Sequence, residues 1–264
     1  MVSGIAVREL HEVGEYLQVV RLFGGIWGPD LQPVTIEMMR ALAHSGNYVA
    51  GAFDGESLVG ASVAFLAMPA GRALHSHITG AAGAGRGIGL ALKLHQREWA
   101  LARGIERITW TYDPLVRRNA YFNLVKLGAR PEEYLPSFYG PMEDAINAGD
   151  ETDRMLAVWR LNAPHVAAAA RREPYPVVVP RDAVVGLESR DGRPVVGRWD
   201  APVVLVEVPP DITAMRREDP GAAKAWRYAL RDTLCGLLGD GARIIGFHNK
   251  SYYVVERSQA GVTE

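Results

Sequence analysis

From Ile5 to Leu10 apolar and polar residues alternate, which predicts a strand because successive side chains on extended backbone face opposite sides. His11 to Phe23 changes to a helical spacing, with Val13, Leu17, Val20 and Leu22 as its apolar positions. Pro33 to Ser45 repeats that spacing through Ile36, Met39, Leu42 and Ala43, and Gly46-Asn47 stops it. Asn47 to Phe53 and Leu58 to Leu66 read as strands joined at Asp54-Gly55, a dipeptide suited to primed hairpin turns, so an antiparallel pair is expected. Leu74 to Thr79 gives a further strand before a glycine-rich run. Helical spacing returns from Gly87 to Ala102 at Ile88, Ala91, Leu92, Trp99 and Ala102. Arg107 to Tyr112 alternates again, Asp113-Pro114 punctuates it, and Leu115 to Leu127 reads as a helix on Val116, Ala120, Leu124 and Leu127, closed by Gly128. Met155 to Leu161 supplies one more strand.

Asn162 to Pro176 mixes prolines, an alanine run and an arginine pair without strand character, and a domain boundary is expected there. The reading is therefore a first domain over 1–161, a linker over 162–176 and a smaller α+β domain over 177–264. In the latter, Val177 to Val179 is a short strand, a hairpin surrounds Asp191-Gly192, and Val203 to Val208 is an apolar strand. A helix covers Ala222 to Leu238, and Arg243 to Phe247 with Tyr252 to Glu256 form an antiparallel close. The 264 residues suffice for two modest cores.

A formal net charge of -1 with 48% apolar residues gives no charge excess to draw the chain to nucleic acid or an anionic membrane. The pairs Arg117-Arg118, Arg171-Arg172 and Arg216-Arg217 read as solvated faces. Met1-Val2-Ser3-Gly4 has no basic segment leading an apolar one, and no apolar run reaches the roughly 18 residues of a membrane span, so a cytoplasmic location is the expectation. Cys235 is the single cysteine, which excludes an intrachain disulfide and a cysteine-rich metal site, and it reads as a small buried thiol.

Candidate chemistry centres on Gly83-Ala84-Gly85-Arg86-Gly87-Ile88-Gly89. A helix start carries unpaired N–H groups and the positive end of the helix dipole, and glycines let phosphate approach them. A P-loop would require Lys and then Ser or Thr, where Gly89-Leu90 stands. A dinucleotide fold would place the loop after the first strand of a parallel unit, whereas here it follows an antiparallel meander. A flexible turn is the remaining plain reading.

The order of elements and this loop together resemble the GNAT (GCN5-related N-acetyltransferase) superfamily. The resemblance implies an α/β (α+β) fold with a mixed, mostly antiparallel sheet flanked by helices, and a loop that binds the pyrophosphate of acyl-coenzyme A. The family's loop falls on Ala84 to Gly89, with Ala84 where the family has Arg or Gln. Gly85, Arg86, Gly87, Ile88 and Gly89 are then cofactor-binding positions. Asn119 to Ala129 is similar to the family's last motif helix, which implies cofactor contacts from Asn119 and Asn123. Leu124 occupies the position of the family's tyrosine acid, and Tyr121 is the nearest substitute. The family polarises the thioester carbonyl with a main-chain N–H, here around Ile78 to Gly80. Segments including Lys93 to Ala100, Trp110 to Leu115, Trp226-Arg227-Tyr228 and Tyr253 to Arg257 resemble a two-domain GNAT subfamily similar to proteins that N-acylate amino acids, including by succinyl transfer.

On the residues themselves, His75 and His77 share one strand face, where either could be a base, contact a carboxylate or sit hydrogen-bonded in the sheet. Asp113 could join them or simply start a helix. Arg227 and Arg231, four apart on one helical face, could grip a carboxylate or pair at the surface with Glu218 or Asp219. Trp110 is a further substrate-side candidate. The combined expectation is an N-acyltransferase that moves an acetyl or succinyl group from coenzyme A to the amine of a small metabolite, without metal and with a homodimer as an open alternative. Decarboxylation of an acyl thioester, carrier-protein-dependent transfer and a non-catalytic acyl-CoA-binding module are the rival readings.

Overall fold

The structure, a computed structural model, describes residues 4–29, 32–83, 86–140, 150–173 and 175–257. The chain divides into two compact units, Met1–Trp110 with Arg160–Ala163, and Thr111–Trp159 with Pro164–Glu264.

The first unit runs β1 (Ile5–Glu9), α1 (Val13–Trp27), α2 (Ile36–His44), β2 (Tyr48–Asp54), β3 (Ser57–Ala67), β4 (Ala73–Ala81), α3 (Ile88–Leu101) and β5 (Arg107–Tyr112). The first four strands form an antiparallel meander in sequence order, and β5 lies parallel to β4. The β2–β3 turn is tight because Gly55 adopts φ 59°, a conformation that costs glycine little.

β2 is buried along its length because helices cover both faces of the sheet. On one face Tyr16, Val19 and Phe23 of α1 and Met39 of α2 pack with Val49 and Val63. On the other, Ile88 and Leu92 of α3 pack with Ala52. Two glycines permit this close approach. A Cβ on Gly60 would lie 2.6 Å from Ile88, and one on Gly80 would lie 2.7 Å from Trp27. The inward stripe of α1 differs from the expected one, since Val13 and Leu17 are 51% and 41% exposed. The aromatic residues Tyr16 and Phe23 bury more apolar area in that position and set the helix rotation.

The second unit comprises α4 (Arg117–Tyr121), which passes into a π-helical turn at Phe122–Lys126, then β6 (Arg130–Leu135), β7 (Arg154–Arg160), α5 (Pro164–Ala170), β8 (Val184–Arg190), β9 (Arg193–Val196), β10 (Val203–Glu207), α6 (Ile212–Glu218), α7 (Pro220–Gly239), β11 (Arg243–His248) and β12 (Tyr252–Glu256). β6 and β7 pair antiparallel, and a separate sheet has the order β11-β12-β10-β8-β9. The Asp191-Gly192 hairpin forms as expected, with both residues at positive φ. The alanine run within 162–176 is helical as α5, and Val177 to Val179 takes no strand. Trp226, Leu230, Leu234 and Leu237 form the buried stripe of α7. Cys235, beside that stripe, is half-buried. Among the described residues no helix is long and apolar enough to cross a membrane.

Candidate active site

β4 and β5 begin as neighbours and then part. Their parallel pairing covers Ala73↔Arg107, Leu74↔Ile108 and His75↔Thr109, after which β4 continues alone along this edge to Ala81. The opposite edge of β4 stays paired to β3, but with a bulge. Val63 pairs with Ile78 and Ala64 with Ser76, so His77 is the extra residue. A bulge re-aims the backbone groups beside it. Among the described residues this leaves a slot along β4, a stretch of edge beyond His75 without strand pairing on that side, leading toward the start of α3.

His75 and His77 project to the same face, as alternation requires, and the Phe65 ring lies 5.2 Å and 6.0 Å from them. His77 donates from Nε2 to the Pro33 carbonyl at 3.2 Å, which leaves Nδ1 as its basic atom in the neutral ring. His75 Nδ1 is 3.0 Å from the Thr109 hydroxyl, and burial first, then His77 and Lys93, lower its pKa.

Gly87 is the N-cap of α3 with φ 71°, in the left-handed region, and Gly83 has φ 83°. Among the described residues no side chain caps α3, and its own first turn holds no acidic residue. Ile88 is buried against the sheet and anchors that turn; Gly89 follows within the helix. Gly85 and Ala84 lie outside the described residues. Arg86 pairs with Asp54 at the surface, so its charge is already engaged. Gly80 is held by packing against α1 as well as by its place in β4.

Behind the slot lies a polar network that sequence periodicity did not single out. Lys93 of α3 donates to Ser76 Oγ at 2.8 Å and to Gln96 Oε1 at 3.3 Å, and Gln96 donates to Ser62 Oγ, which lies 2.8 Å from Thr79 Oγ1. Lys93 Nζ also lies 4.0 Å from the Trp110 ring centroid. Trp110 is buried in this contact. The signal was present in the sequence, because Lys93 and Gln96 fall on the inward stripe of α3 among Ile88, Leu92, Trp99 and Ala100. Polar residues there point to a buried purpose.

An N-acetyltransferase from Staphylococcus aureus Mu50 shares this arrangement of elements at a TM-score of 0.50, with 14% identity over 61% of this chain and 100% of that one. The chain has the GNAT fold. The yncA protein of Salmonella typhimurium, solved with its cofactor acetyl-CoA, matches at a TM-score of 0.50 and 12% identity over 61% of this chain and 96% of its own. No protein-family model matches the sequence, and no curated protein matches it. The GNAT fold rests on the succession of elements and on the parting of β4 from β5.

The remaining candidates belong to the second unit. Tyr121 is half-buried at the end of α4, with Lys126 Nζ 5.7 Å and Lys250 Nζ 5.6 Å from its ring centroid. Asn119 is half-buried in α4, and Asn123 is buried in the π-helical turn, where its carbonyl accepts from Ala129 N–H. Leu124 is buried in the core, as its place in the apolar stripe implied.

Asp113, Arg227 and Arg231 form part of one ion-pair network. Asp113 accepts from Arg216 at 2.6 Å and from two nitrogens of Arg227 at 3.0 Å, while Asp150 accepts from both arginines. Arg231 binds Asp153 and Glu151. Despite the cost of burial, the adjacent guanidinium groups hold Asp113 well below the ordinary carboxylate range. A carboxylate so held is a poor proton acceptor near neutrality, which counts against Asp113 as a base. Its Oδ1 also accepts the Leu115 N–H, so Asp113 holds the turn that follows β5. The surface pairing expected for Arg227 with Glu218 or Asp219 does not occur. Arg227 is fully buried, and Asp219 caps α7 and binds Arg193 instead. Hydrogen bonds from Ser137, Arg231 and Tyr228 bring Glu151 down to about 2.

Among the described residues no group of three or more His, Cys, Asp or Glu side chains could hold a metal ion.

Proposed function

We propose that this chain is an acyl-CoA-dependent N-acyltransferase acting on the amine of a small metabolite, with its donor in the slot along β4. The observation that carries the reading is the loss of β4–β5 pairing after His75↔Thr109, next to the bulge at His77. A pantetheine arm carries amide groups, so it can lie there as a surrogate strand and satisfy main-chain groups that the two strands leave unpaired. The diphosphate would then meet the N–H groups of α3 behind Gly87, and acetyl-CoA or succinyl-CoA would fit this description equally.

In this reading the amine nitrogen attacks the thioester carbonyl carbon, a C–N bond forms, the C–S bond breaks, and coenzyme A leaves as the thiolate and takes up a proton. Main-chain N–H groups near Ile78 to Gly80 would hold the developing oxyanion. His77, whose Nδ1 is available, would accept the proton of the attacking ammonium.

Incubation with acetyl-, succinyl- and malonyl-CoA and a panel of amines, followed by mass spectrometry, tests the proposal. An acylated amine with equimolar free thiol is expected. Loss of carbon dioxide without acyl transfer, or binding without turnover, would refute transfer in favour of decarboxylation or a binding module. For the base, His77→Ala should lower kcat/KM by about 100-fold and flatten its rise with pH. An unchanged pH profile would remove His77 from that role.

A further inference from the structure

The slot along β4 ends on a buried cation, Lys93, for which the described residues supply no counter-charge. Lys93 is 4% exposed. Its ammonium is met by the Ser76 hydroxyl, the Gln96 amide oxygen and the face of Trp110, all neutral. Among the described residues no Asp or Glu carboxylate pairs with it. Elsewhere the protein pairs its buried cations, since Arg216 and Arg227 both sit on Asp113 and Asp150. An isolated buried ammonium is costly, and burial pulls Lys93 down to about 7.

The position of this cation is as informative as its isolation. Ser76 and Trp110 are the residues immediately after the last β4–β5 pair, His75↔Thr109. Lys93 therefore stands behind the point where the two strands part. We propose that Lys93 is a specificity-determining residue for the acyl group, supplying through Ser76 the counter-charge for the terminal carboxylate of a dicarboxylic acyl-CoA. The inference rests on the reading of the slot as an acyl-CoA site.

The Ser76 hydroxyl can accept from the ammonium while donating its own proton to a carboxylate, so the ligand's charge can reach the network without displacing Trp110. The acyl end suits this position better than the acceptor does. Lys93 comes from α3 on one face of the sheet, whereas His75, His77 and Phe65 lie on the opposite face. A short acyl chain descending from a thioester at the bulge would end between them. Across the sheet, His75 feels the charges of both His77 and Lys93.

Calorimetric titration of the intact protein with CoA, acetyl-CoA and succinyl-CoA, below and above neutrality and in buffers of different ionisation enthalpy, tests the proposal. Succinyl-CoA should bind roughly ten times tighter than acetyl-CoA at the lower pH. Its binding should take up a proton above about pH 7, so its advantage should shrink as pH rises, because carboxylate binding raises the pKa of the lysine. Lys93→Met should erase the preference while leaving CoA itself bound. Ser76→Ala, which keeps the lysine and its fold, should weaken the preference too. Equal binding of the two thioesters by the parent, or a preference retained in both variants, would overturn the assignment. Lysine-dependent binding of a free amino acid without CoA would overturn it in favour of the acceptor's carboxylate. Failure of every CoA species to bind would instead overturn the acyl-CoA reading beneath it.

Discussion

Replacing Arg227 by Met should destabilise the second unit by about 3–5 kcal/mol, the range for breaking a buried ion pair by removing one partner. Arg227 is fully buried, and with Arg216 it balances the charges of Asp113 and Asp150. The variant leaves two buried carboxylates on one guanidinium. Chemical denaturation should show a lowered midpoint at unchanged slope. Adding Asp113→Asn should recover part of the loss, because it removes the orphaned charge. By contrast Arg243→Ala, which breaks a pair with Glu256 whose side chains are 76% and 42% exposed, should change stability by no more than about 1 kcal/mol. The same network sets an acid dependence. Asp113 has a depressed pKa in the folded protein, so its contribution is complete above the unfolded carboxylate value of about 4 and is lost as pH falls below it. Arg227→Met should therefore flatten that acid dependence. An Arg227→Met protein as stable as the parent would mean the network holds no net stability.

Gly87→Val should reduce affinity for any CoA species by at least about tenfold, which corresponds to about 1.4 kcal/mol. The residue sits at φ 71° as the N-cap of α3, where a β-branched side chain is strongly disfavoured. Relieving that strain would turn the first N–H groups of the helix away from the slot. Gly104→Val is the matched control, since Gly104 adopts a similar φ of 72° just past the opposite end of α3, with open space around an added Cβ. Equal CoA affinity in the parent and in Gly87→Val would detach the glycine loop from cofactor binding.

Most of the first unit was legible because its apolar runs have strand and helix lengths and because Gly46-Asn47 and Asp54-Gly55 mark real breaks. β6 went unplaced because Pro131 and the pair Glu132-Glu133 hide the alternation of Arg130–Leu135. α5 lay under an alanine run, which lacks an apolar stripe, and α6 is short and begins at Asp211, whose side chain caps it. The sharing of a face by His75 and His77 followed from strand alternation alone. The ion-pair network did not, since Asp113 and Arg227 are far apart in sequence and no local pattern joins them. Arg227 and Arg231 at helical spacing suggested a carboxylate grip, and the carboxylates they hold are the chain's own. Lys93 was readable only as a polar intruder on an apolar stripe.

Hydrogen–deuterium exchange of the intact protein with and without CoA bears most directly on the slot. Bound CoA should slow exchange at the slot-facing amides of Ser76 to Ala81 and in the first turn of α3, and leave β1 unchanged. Saturating CoA that protects neither segment, or protects only the second unit, would contradict the account.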